Sequence, residues 1–447
     1  MSNASLTSKR TTDLSRRNFL KTSTLAAAGV ATLGAPSILA QAKIPIRAVV
    51  IGAGGRGTGA GQNFLEAAKI TGVDAKIVGV ADAFQSRIDG CLNEWKKAGV
   101  EIPAANAIAG LDSYVKVLQI PGVNYAILAG PPGFRAPHFK ACVEAGVHVF
   151  TEKPVAVDGP TCRMMYAAAE LSEKKNLKVA AGTQRRHESN YIETIKRLHD
   201  GMIGDIVSLR VYWVNGGPIW HRGLSGETDL HKQVNNWYHY IWLSGDHICE
   251  QHVHNLDVAN WVMKDHPVRC WGMGARQQLG DKPGEIWDNF AVEYEYPNGV
   301  RMFSYCGQIT RKWSSVSEAV HGSKGWSNPG GSISVKGGEG YRYRGQHRSG
   351  YVQEHVNLIN AIQTDTKLNE ARQVTDSTLT AIMGREAAYS GGDNVEWEAV
   401  LNSKFQYGPE ALYTDASKMT WGSFRTLRPP MPSRHDILRD PPVVAVA

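Results

Sequence analysis

The segment ICEQHVHNLD, residues 248–257, concentrates side chains that can move protons. Glu250 and His254 stand four positions apart, and residues at i and i+4 of a helix share a face. We therefore expect Glu250 to orient His254 and to raise its proton affinity, which would make His254 a general base. Together with His247 and His252, the same side chains are a candidate transition-metal site. We favour hydrogen bonding instead and predict no metal.

A glycine-rich loop ends the first apolar run of the chain, IRAVVIGAGGRG. Its spacing, G-x-G-x-x-G, is typical of dinucleotide-binding loops, in which the glycines permit a tight turn, admit a pyrophosphate and let a helix pack closely. Asp82 ends the next apolar run, where an acidic side chain binds the adenosine ribose and favours NAD over NADP. Arg56 lies inside the loop within reach of a phosphate, so NADP stays an alternative. The predicted NAD-binding residues are Gly52, Gly54, Gly55, Arg56, Gly57 and Asp82.

The segment FTEKPVAV, residues 150–157, gives the chain a family resemblance. Glu152-Lys153-Pro154, with the glycine loop and Asp82 before it, resembles the Gfo/Idh/MocA oxidoreductases, named for glucose–fructose oxidoreductase and inositol dehydrogenase. The resemblance extends over nearly all of the chain after residue 42. It implies a Rossmann domain, a C-terminal domain whose open sheet often forms an oligomer interface, and substrates that are mostly sugars, polyols and their derivatives.

The resemblance also implies roles for residues near the cofactor. Lys153 would lie beside the nicotinamide and the substrate, with Glu152 and Pro131 in the cofactor pocket. Pro131 belongs to a Gly-Pro-Pro sequence that stands where the family usually has Thr-Pro.

The family's acidic residue, histidine and aspartate correspond to Glu250, His254 and Asp257. The acidic residue is usually aspartate, and a glycine often stands at the position of His252. Removal of a hydride from a carbinol carbon requires that the hydroxyl proton leave too, so a base must lie within hydrogen-bond reach. We assign His254 as this base and Lys153 as its partner, and the reverse assignment stays open.

Aromatic and amide side chains are dense over residues 212–242, as suits a carbohydrate site, although many aromatic residues in strands simply form sheet core. We predict substrate contacts for Trp237 and Tyr238. Arg186, at the end of the last predicted parallel strand, faces the expected cleft and could bind a carboxylate. His252 and Asp257 complete the predicted substrate set, with Asp257 acting more as a support than as a catalyst.

Five uniformly apolar runs alternate with helical stretches between residues 46 and 184, which predicts buried parallel strands covered by helices. The fold class is therefore α/β, with an N-terminal Rossmann doubly wound parallel sheet assigned to residues 43–186. Beyond it, alternating runs predict a C-terminal α+β domain with a largely antiparallel open sheet over residues 187–447. FAVEYEYPNGVRMFSYCG, residues 290–307, predicts a hairpin about its Pro-Asn-Gly turn.

The first 42 residues have the order of a secretory signal: charged, apolar, then a small-residue cleavage site. Arg16 and Arg17 specify the twin-arginine route, which carries folded proteins, so we expect a periplasmic or extracytoplasmic protein. The segment's five basic residues and one acidic residue account for four of the seven net positive charges. The remaining charge is too small to indicate nucleic acid. No later run predicts a membrane span, and the six scattered cysteines are expected to be free.

A nucleotide-binding protein outside the cytoplasm has no NAD pool to draw on, so we expect a tightly held cofactor that is regenerated in place. The leading interpretation is an NAD(P)-dependent oxidoreductase acting on CH–OH groups of a sugar, polyol or glycoside. A redox-neutral, NAD-dependent glycosidase, acting by transient oxidation and elimination, is the alternative enzyme. A secreted, non-catalytic carbohydrate- or nucleotide-binding protein is the third interpretation. A homo-oligomer through the C-terminal sheet is a further expectation.

Overall fold

A six-stranded parallel sheet and a nine-stranded, mostly antiparallel sheet organise the chain, and together they confirm the predicted fold class. The computed structural model describes residues 43–216, 222–310 and 313–447. The predicted signal peptide therefore lies outside the described residues. In this described part of the chain, no helix is both long and apolar enough to cross a membrane.

The first sheet has the strand order β3-β2-β1-β4-β5-β6, with every neighbouring pair parallel. Its strands are so uniformly apolar because helices cover the sheet; all four residues of β4 are buried. The strands are β1 Ile46–Ile51, β2 Ala75–Asp82, β3 Ala107–Ala109, β4 Tyr125–Leu128, β5 His148–Thr151 and β6 Val179–Ala181. The helices are α1 Gly55–Thr71, α2 Gln85–Lys97, α3 Ser113–Val117, α4 Arg135–Glu144 and α5 Gly159–Lys174.

The second sheet has the order β14-β13-β12-β11-β7-β10-β9-β8-β15, and β7 with β10 is its one parallel pair in the described chain. The predicted hairpin is confirmed as β9 and β10, and Gly299 in its turn has φ +82°. The strands are β7 Ile206–Val214, β8 Arg269–Ala275, β9 Asn289–Glu295, β10 Arg301–Gly307, β11 Ser315–Gly322, β12 Gly325–Asn328, β13 Ser332–Val335, β14 Tyr341–Arg342 and β15 Val395–Glu396. A separate two-stranded ladder pairs β16 His435–Asp436 with β17 Val443–Val444.

Nine helices follow residue 186 in the described part of the chain. They are α6 Ser189–His199, α7 Asp229–Asn235, α8 Ile241–Ser244, α9 His247–Glu250, α10 Val253–Met263, α11 Gly350–Thr364, α12 Ala371–Ser390, α13 Trp397–Asn402 and α14 Glu410–Thr414. Short 3-10 turns lie at Ala104–Asn106, Pro132–Phe134, Gln184–His187, Trp237–His239 and Ala416–Lys418.

Helix α11 belongs to the predicted second domain by sequence but packs on the first sheet. Val356 and Ile359 share one apolar cluster with Phe64 of α1 and with Tyr125 of β4. The Tyr125 hydroxyl and a ring nitrogen of His355 are 2.8 Å apart in a buried hydrogen bond. The C-terminal half of the chain therefore completes the layer of helices that covers the first sheet. All six cysteines are buried and free, as expected.

Candidate active site

The glycine loop connects β1 to α1, and its three glycines meet different surroundings. A Cβ on Gly52, which has φ +100°, would lie 2.3 Å from the Gly130 nitrogen, and one on Gly57 would lie 1.7 Å from the Gly52 oxygen. A Cβ on Gly54 would meet no atom within 4 Å. The first and third glycines are therefore required by packing, whereas the second leaves space open in front of the helix.

That space is a cavity of about 290 Å³ at the carboxyl ends of the parallel strands. Gly52, Gly54, Gly55, Arg56, Asp82 and Pro131, all predicted from the sequence, line it. Four of its 21 lining residues come from the later part of the chain: Arg222, Val234, Asn235 and Trp237. The cavity is thus a cleft between the Rossmann sheet and a segment of the C-terminal half, where α/β folds bind their ligands.

Asp82, at the end of β2, hydrogen-bonds to the backbone of the glycine loop. Its carboxylate accepts hydrogen bonds from the Ala53 nitrogen at 2.7 Å and the Phe84 nitrogen at 2.9 Å. Burial raises the pKa of Asp82, and these two bonds oppose the rise. The carboxylate keeps acceptor capacity toward the cavity, which suits a ribose hydroxyl.

Arg56 lines the cavity but directs its guanidinium toward carboxylates. Its Nε donates to Glu152, and its Nη2 lies 3.5 Å from fully buried Glu354 of α11. Its guanidinium also lies over the ring of Tyr351, 4.7 Å from the ring centre. Burial raises the pKa of Glu152, but Arg56 and Lys153 outweigh it and hold that pKa below its usual value. The charge of Arg56 is therefore already balanced within the protein.

Lys153 follows β5 and contacts Glu250 of α9 twice. Its Nζ donates to the backbone oxygen of Glu250 and to Oε1 of the same residue, at 3.1 Å. The two side chains are only 10% and 11% exposed. Burial raises the pKa of Glu250, with Lys153 opposing the rise. Its Oε2 is buried without a hydrogen-bond partner, so the pair keeps one acceptor for a ligand.

The chain does not run as one helix from Glu250 to His254, contrary to the expectation from their spacing. Helix α9 ends at Glu250 and α10 begins at Val253, with a turn between them. Glu250 therefore faces Lys153, while the His254 ring stacks on Trp213 with ring centres 5.7 Å apart. Burial, and then the nearby cations Lys153 and Arg185, lower the pKa of His254 well below its usual value.

The prediction that Glu250 raises the proton affinity of His254 is consequently wrong. The histidine is neutral at neutral pH, and its Nδ1 is buried with no partner. A neutral ring with an open nitrogen can accept a proton, although it is a weak base.

Two further histidines line the same region in the neutral form. His252 shares a 2.8 Å hydrogen bond with the Ser304 hydroxyl, and burial lowers its pKa to about 3. Burial likewise lowers the pKa of His247 to about 3, and its Nδ1 lies 3.5 Å from the hydroxyl of buried Tyr238. Over residues 43–216, 222–310 and 313–447, no group of three or more His, Cys, Asp or Glu side chains is arranged to hold a metal ion.

Arg186, which is half-buried, forms an ion pair with Asp257. Arg186 Nε donates to both Asp257 carboxylate oxygens, at 3.1 and 2.9 Å. Ser377 and Gln373 of α12 donate to the same carboxylate, which is fully buried. These contacts join the end of the first sheet to α10 and α12. The predicted substrate contacts of Arg186 and Asp257 stay predictions.

Arg135 is a site residue that our sequence reasoning missed. It begins α4, is 4% exposed, and donates from Nη2 to the Gly130 oxygen. Its Nη1 is buried without a partner, and burial lowers the pKa of Arg135 to about 10 despite the carboxylates of Glu152 and Glu250. The signal in the sequence was a lone arginine in the apolar stretch PPGFRAPHF, immediately after a strand end.

Comparison with known proteins assigns the family. The model of the oxidoreductase family with an NAD-binding Rossmann fold matches residues 46–183, and that of the GFO/IDH/MocA C-terminal domain matches residues 191–327. Together they cover more than half of the chain. The chain belongs to the Gfo/Idh/MocA oxidoreductase family.

Three relatives show which kinds of protein this chain is similar to. Inositol 2-dehydrogenase of Rhizobium meliloti (strain 1021) is 23% identical over 310 residues, which are 66% of this chain and 83% of that protein. Inositol 2-dehydrogenase 1 of Saccharopolyspora erythraea is 29% identical over 44% of this chain and 49% of its own length. A glycosyl hydrolase family 109 protein of Streptomyces coelicolor is 26% identical over 36% of this chain and 33% of its own length. The matches to the last two thus span half or less of those proteins.

Solved structures share the fold. Aldose-aldose oxidoreductase from Caulobacter crescentus has a TM-score of 0.62 at 18% identity, covering 79% of this chain and all of that one. Scyllo-inositol dehydrogenase from Lactobacillus casei, solved with NAD(H) and scyllo-inositol, has a TM-score of 0.60 at 20% identity, with 79% and 100% coverage.

The N-terminal domain of this family member is an NAD-binding Rossmann domain, as predicted. The residues present fit that cofactor. Gly57 lets α1 approach the loop, Gly54 leaves the front of the helix open, and Asp82 lines the cavity at the end of β2.

The different surroundings of Gly54 and Gly57 predict different consequences of adding one methyl group. Gly57→Ala should destabilise the fold by about 3 kcal/mol or more, because its Cβ overlaps a backbone oxygen. Gly54→Ala should leave the melting temperature unchanged, since φ −69° and ψ −176° suit alanine, but weaken NAD binding about tenfold. Thermal unfolding and NAD titration of both variants check this. Equal melting temperatures would contradict it.

The lowered pKa of His252 predicts a pH-dependent stability. Below pH about 6.5, His252 of the unfolded chain binds a proton, whereas His252 of the folded chain stays neutral. The free energy of unfolding therefore falls as the pH is lowered from about 6.5 toward 3. One such histidine lowers the free energy of unfolding by about 2 kcal/mol between pH 7.5 and 5.

His252→Gln, which keeps a donor for Ser304, should make denaturant-measured stability less pH-dependent by that amount. The same substitution at exposed His347 should leave the pH dependence of the free energy of unfolding unchanged. An unaltered slope in His252→Gln would show that the ring is not buried in its neutral form.

Proposed function

We propose that the protein is an NAD-dependent oxidoreductase of CH–OH groups in a sugar, polyol or glycoside, and that it keeps the cofactor bound through turnover. The observation that carries the proposal is the Lys153–Glu250 contact with neutral His254 nearby. Strands β1, β4 and β5 are neighbours in the parallel sheet. Their carboxyl ends therefore bring the glycine loop, Pro131 and Lys153 to one edge.

The protein's own groups can manage the proton that hydride removal requires. Bound NAD supplies the acceptor for a hydride from the substrate carbinol carbon. The open Nδ1 of His254 accepts the hydroxyl proton, and Lys153 Nζ donates a hydrogen bond to the same substrate oxygen. Glu250 fixes the Lys153 side chain by its backbone and carboxylate oxygens.

Unpaired buried polar atoms around this pair support a substrate with several hydroxyl groups. Arg135 Nη1, Glu250 Oε2, His247 Nε2 and His254 Nδ1 are all buried without a partner. Leaving such atoms unsatisfied is costly, so a ligand that donates and accepts hydrogen bonds would stabilise the site. Trp237, on the cavity wall, offers a flat face to the C–H groups of such a ligand.

Cofactor retention is supported by the segment that covers the cavity, residues 222–237. Residues near the C-terminus hydrogen-bond to this segment. The Leu230 nitrogen donates to the Gly422 oxygen, and Gln233 Nε2 donates to the Arg425 oxygen, both at 3.1 Å. On the cavity wall, the Phe84 ring stacks with Trp421, their centres 5.5 Å apart. Release of a cofactor from beneath this cover requires these contacts to break.

Export by the twin-arginine route is part of the same proposal. It rests on Arg16, Arg17 and the signal-like order of residues 1–42. A cofactor held under the cover segment could travel with a folded protein, whereas a freely exchanging one would be lost.

A redox-neutral glycosidase is the second candidate, favoured by the similarity to glycosyl hydrolase family 109 proteins. In that reaction the substrate carbinol would be oxidised, the proton beside the new carbonyl removed and the glycosidic bond eliminated with release of the alcohol. Water would then add to the resulting double bond, and return of the hydride would reduce the carbonyl again. The same neutral histidines and the Lys153–Glu250 pair would serve the additional proton transfers.

One experiment tests both candidates. The mature protein is recovered from the exported fraction and denatured, and the released small molecules are identified by mass spectrometry. We expect NAD at one equivalent per chain. Intact protein is then mixed with inositols, aldoses and aryl glycosides, while the nicotinamide absorbance and free sugar are followed.

Reduction of bound NAD by a polyol or aldose supports the oxidoreductase, and sugar release without net reduction supports the glycosidase. Lys153→Ala and His254→Ala should each lower kcat about 10²–10⁴-fold. Lys116→Ala, which removes an exposed lysine paired with Asp112, should not. An NAD-free protein with no turnover would instead favour the non-catalytic binding protein.

We also propose that the outer face of the second sheet joins copies of the chain. The strand register sets Met273, Ala291, Tyr305, Tyr212 and Ser317 in one row across five strands. Tyr212 and Tyr305 stack with centres 5.6 Å apart, and Met273 is 72% exposed. An apolar row of this kind on an open sheet suits a self-complementary contact with a second copy.

Met273→Asp should therefore convert an oligomer into monomers in light scattering. Ile70→Asp, a matched change at an exposed apolar position on α1, should not. A wild-type chain that is monomeric at micromolar concentration would contradict this proposal.

A further inference from the structure

The turn before α9 has a backbone conformation that its residue does not favour. Gly245 has φ +74° and Asp246 has φ +70° with ψ 169°. That last region of backbone space is populated essentially by glycine, because a Cβ clashes there. A second glycine would suit the turn, yet the chain has an aspartate that is completely buried. The Asp246 side chain must therefore make contacts that a glycine could not.

The Asp246 carboxylate receives hydrogen bonds from three separate parts of the fold. One oxygen accepts the backbone N–H of His247, the first residue of α9. The other accepts the backbone N–H of Trp287, just before β9, at 2.7 Å, and the hydroxyl of Tyr389 from α12. All of these partners are buried. The carboxylate thus fixes the start of α9 against both the second sheet and its covering helix.

Backbone hydrogen bonds of the same turn connect Asp246 to Glu250, the residue that Lys153 contacts. The Asp246 carbonyl oxygen accepts the Glu250 N–H at 2.9 Å, so the single turn of α9 spans from one residue to the other. The Gly245 oxygen accepts a 3.1 Å hydrogen bond from buried Arg385. Lys153 Nζ in turn donates to the Glu250 backbone oxygen. Any displacement of Asp246 would therefore move the backbone atom that Lys153 contacts.

We propose that Asp246 is a positioning residue, which holds the Glu250 backbone and carboxylate at the distance that Lys153 requires. The catalytic part of this inference rests on the proposed function of Lys153. Asp246 has no role with substrate, because its oxygens are turned to His247, Trp287 and Tyr389. The strained conformation is retained because only an acceptor with two oxygens at this position satisfies all three donors.

Three variants test the proposal in graded steps. Asp246→Gly suits the backbone but removes every acceptor, and Asp246→Asn replaces one acceptor by a donor. Tyr389→Phe leaves Asp246 in place and removes only the hydroxyl from α12, so it should fold even where the other two do not. Asp365→Gly is the matched control, because Asp365 also has positive φ, +52°, but lies exposed at the end of α11.

The first readout needs no substrate: the rate at which Lys153 is reductively methylated, followed by peptide mass spectrometry. In the wild type Lys153 is 10% exposed and held by Glu250, so the reaction should be slow. We expect a severalfold faster reaction in Asp246→Gly, an intermediate rate in Tyr389→Phe and no change in Asp365→Gly. In turnover of the best substrate, kcat should fall about tenfold or more in Asp246→Gly, with KM and bound NAD unchanged.

Lower melting temperatures with unchanged Lys153 methylation and unchanged kcat would overturn the proposal, since Asp246 would then only stabilise the fold. A wild type that turns over no polyol, aldose or glycoside would count against the proposed function alone. The methylation rates would in that case still decide whether Asp246 positions Glu250 against Lys153.

Discussion

The contact between Lys153 and Glu250 joins the two sheets at the point where the proposed chemistry occurs. Lys153 follows β5, the strand next to the edge of the first sheet, and Glu250 ends the short helix α9. Because Lys153 donates to a backbone oxygen as well as to a carboxylate, its position depends on the course of the chain around α9. The course of the chain around α9 depends in turn on the buried hydrogen bonds of Asp246 with Trp287 and Tyr389. The catalytic geometry is therefore a property of the packing between the halves.

Burial, and then the cations near this contact, explain why the histidines are neutral. Arg56, Arg135 and Lys153 lie in one buried region with the carboxylates of Glu152 and Glu250. Burial disfavours any further ion, and the cations disfavour protonated imidazole in particular. His254 consequently stays uncharged with an open nitrogen. A neutral histidine beside the Lys153–Glu250 contact separates the proposed acceptor of a proton, His254, from the hydrogen-bond donor, Lys153 Nζ.

Local sequence signals predicted the parts of the site that depend on local structure. The glycine spacing and Asp82 followed from the strand–loop–helix pattern, and they line the cavity as expected. The turn that separates Glu250 from His254 was not predicted, because residue spacing alone does not show where a helix ends. The start of α9 is fixed by distant partners of Asp246, namely Trp287 just before β9 and Tyr389 of α12. Arg135 was missed for the same reason: its burial follows from tertiary packing and leaves only a lone charge in an apolar stretch.

The cofactor cavity also depends on contacts between distant parts of the chain. One wall comes from the glycine loop and the next strand ends, and the other from the cover segment, residues 222–237, which residues 421–425 hold in place. The cavity is therefore complete only after nearly the whole chain has folded. Since a ligand that binds only the folded state stabilises it, NAD bound beneath the cover would favour the state in which the cover is closed. Cofactor loading and folding would then be coupled, which is what the proposed retention of the cofactor requires.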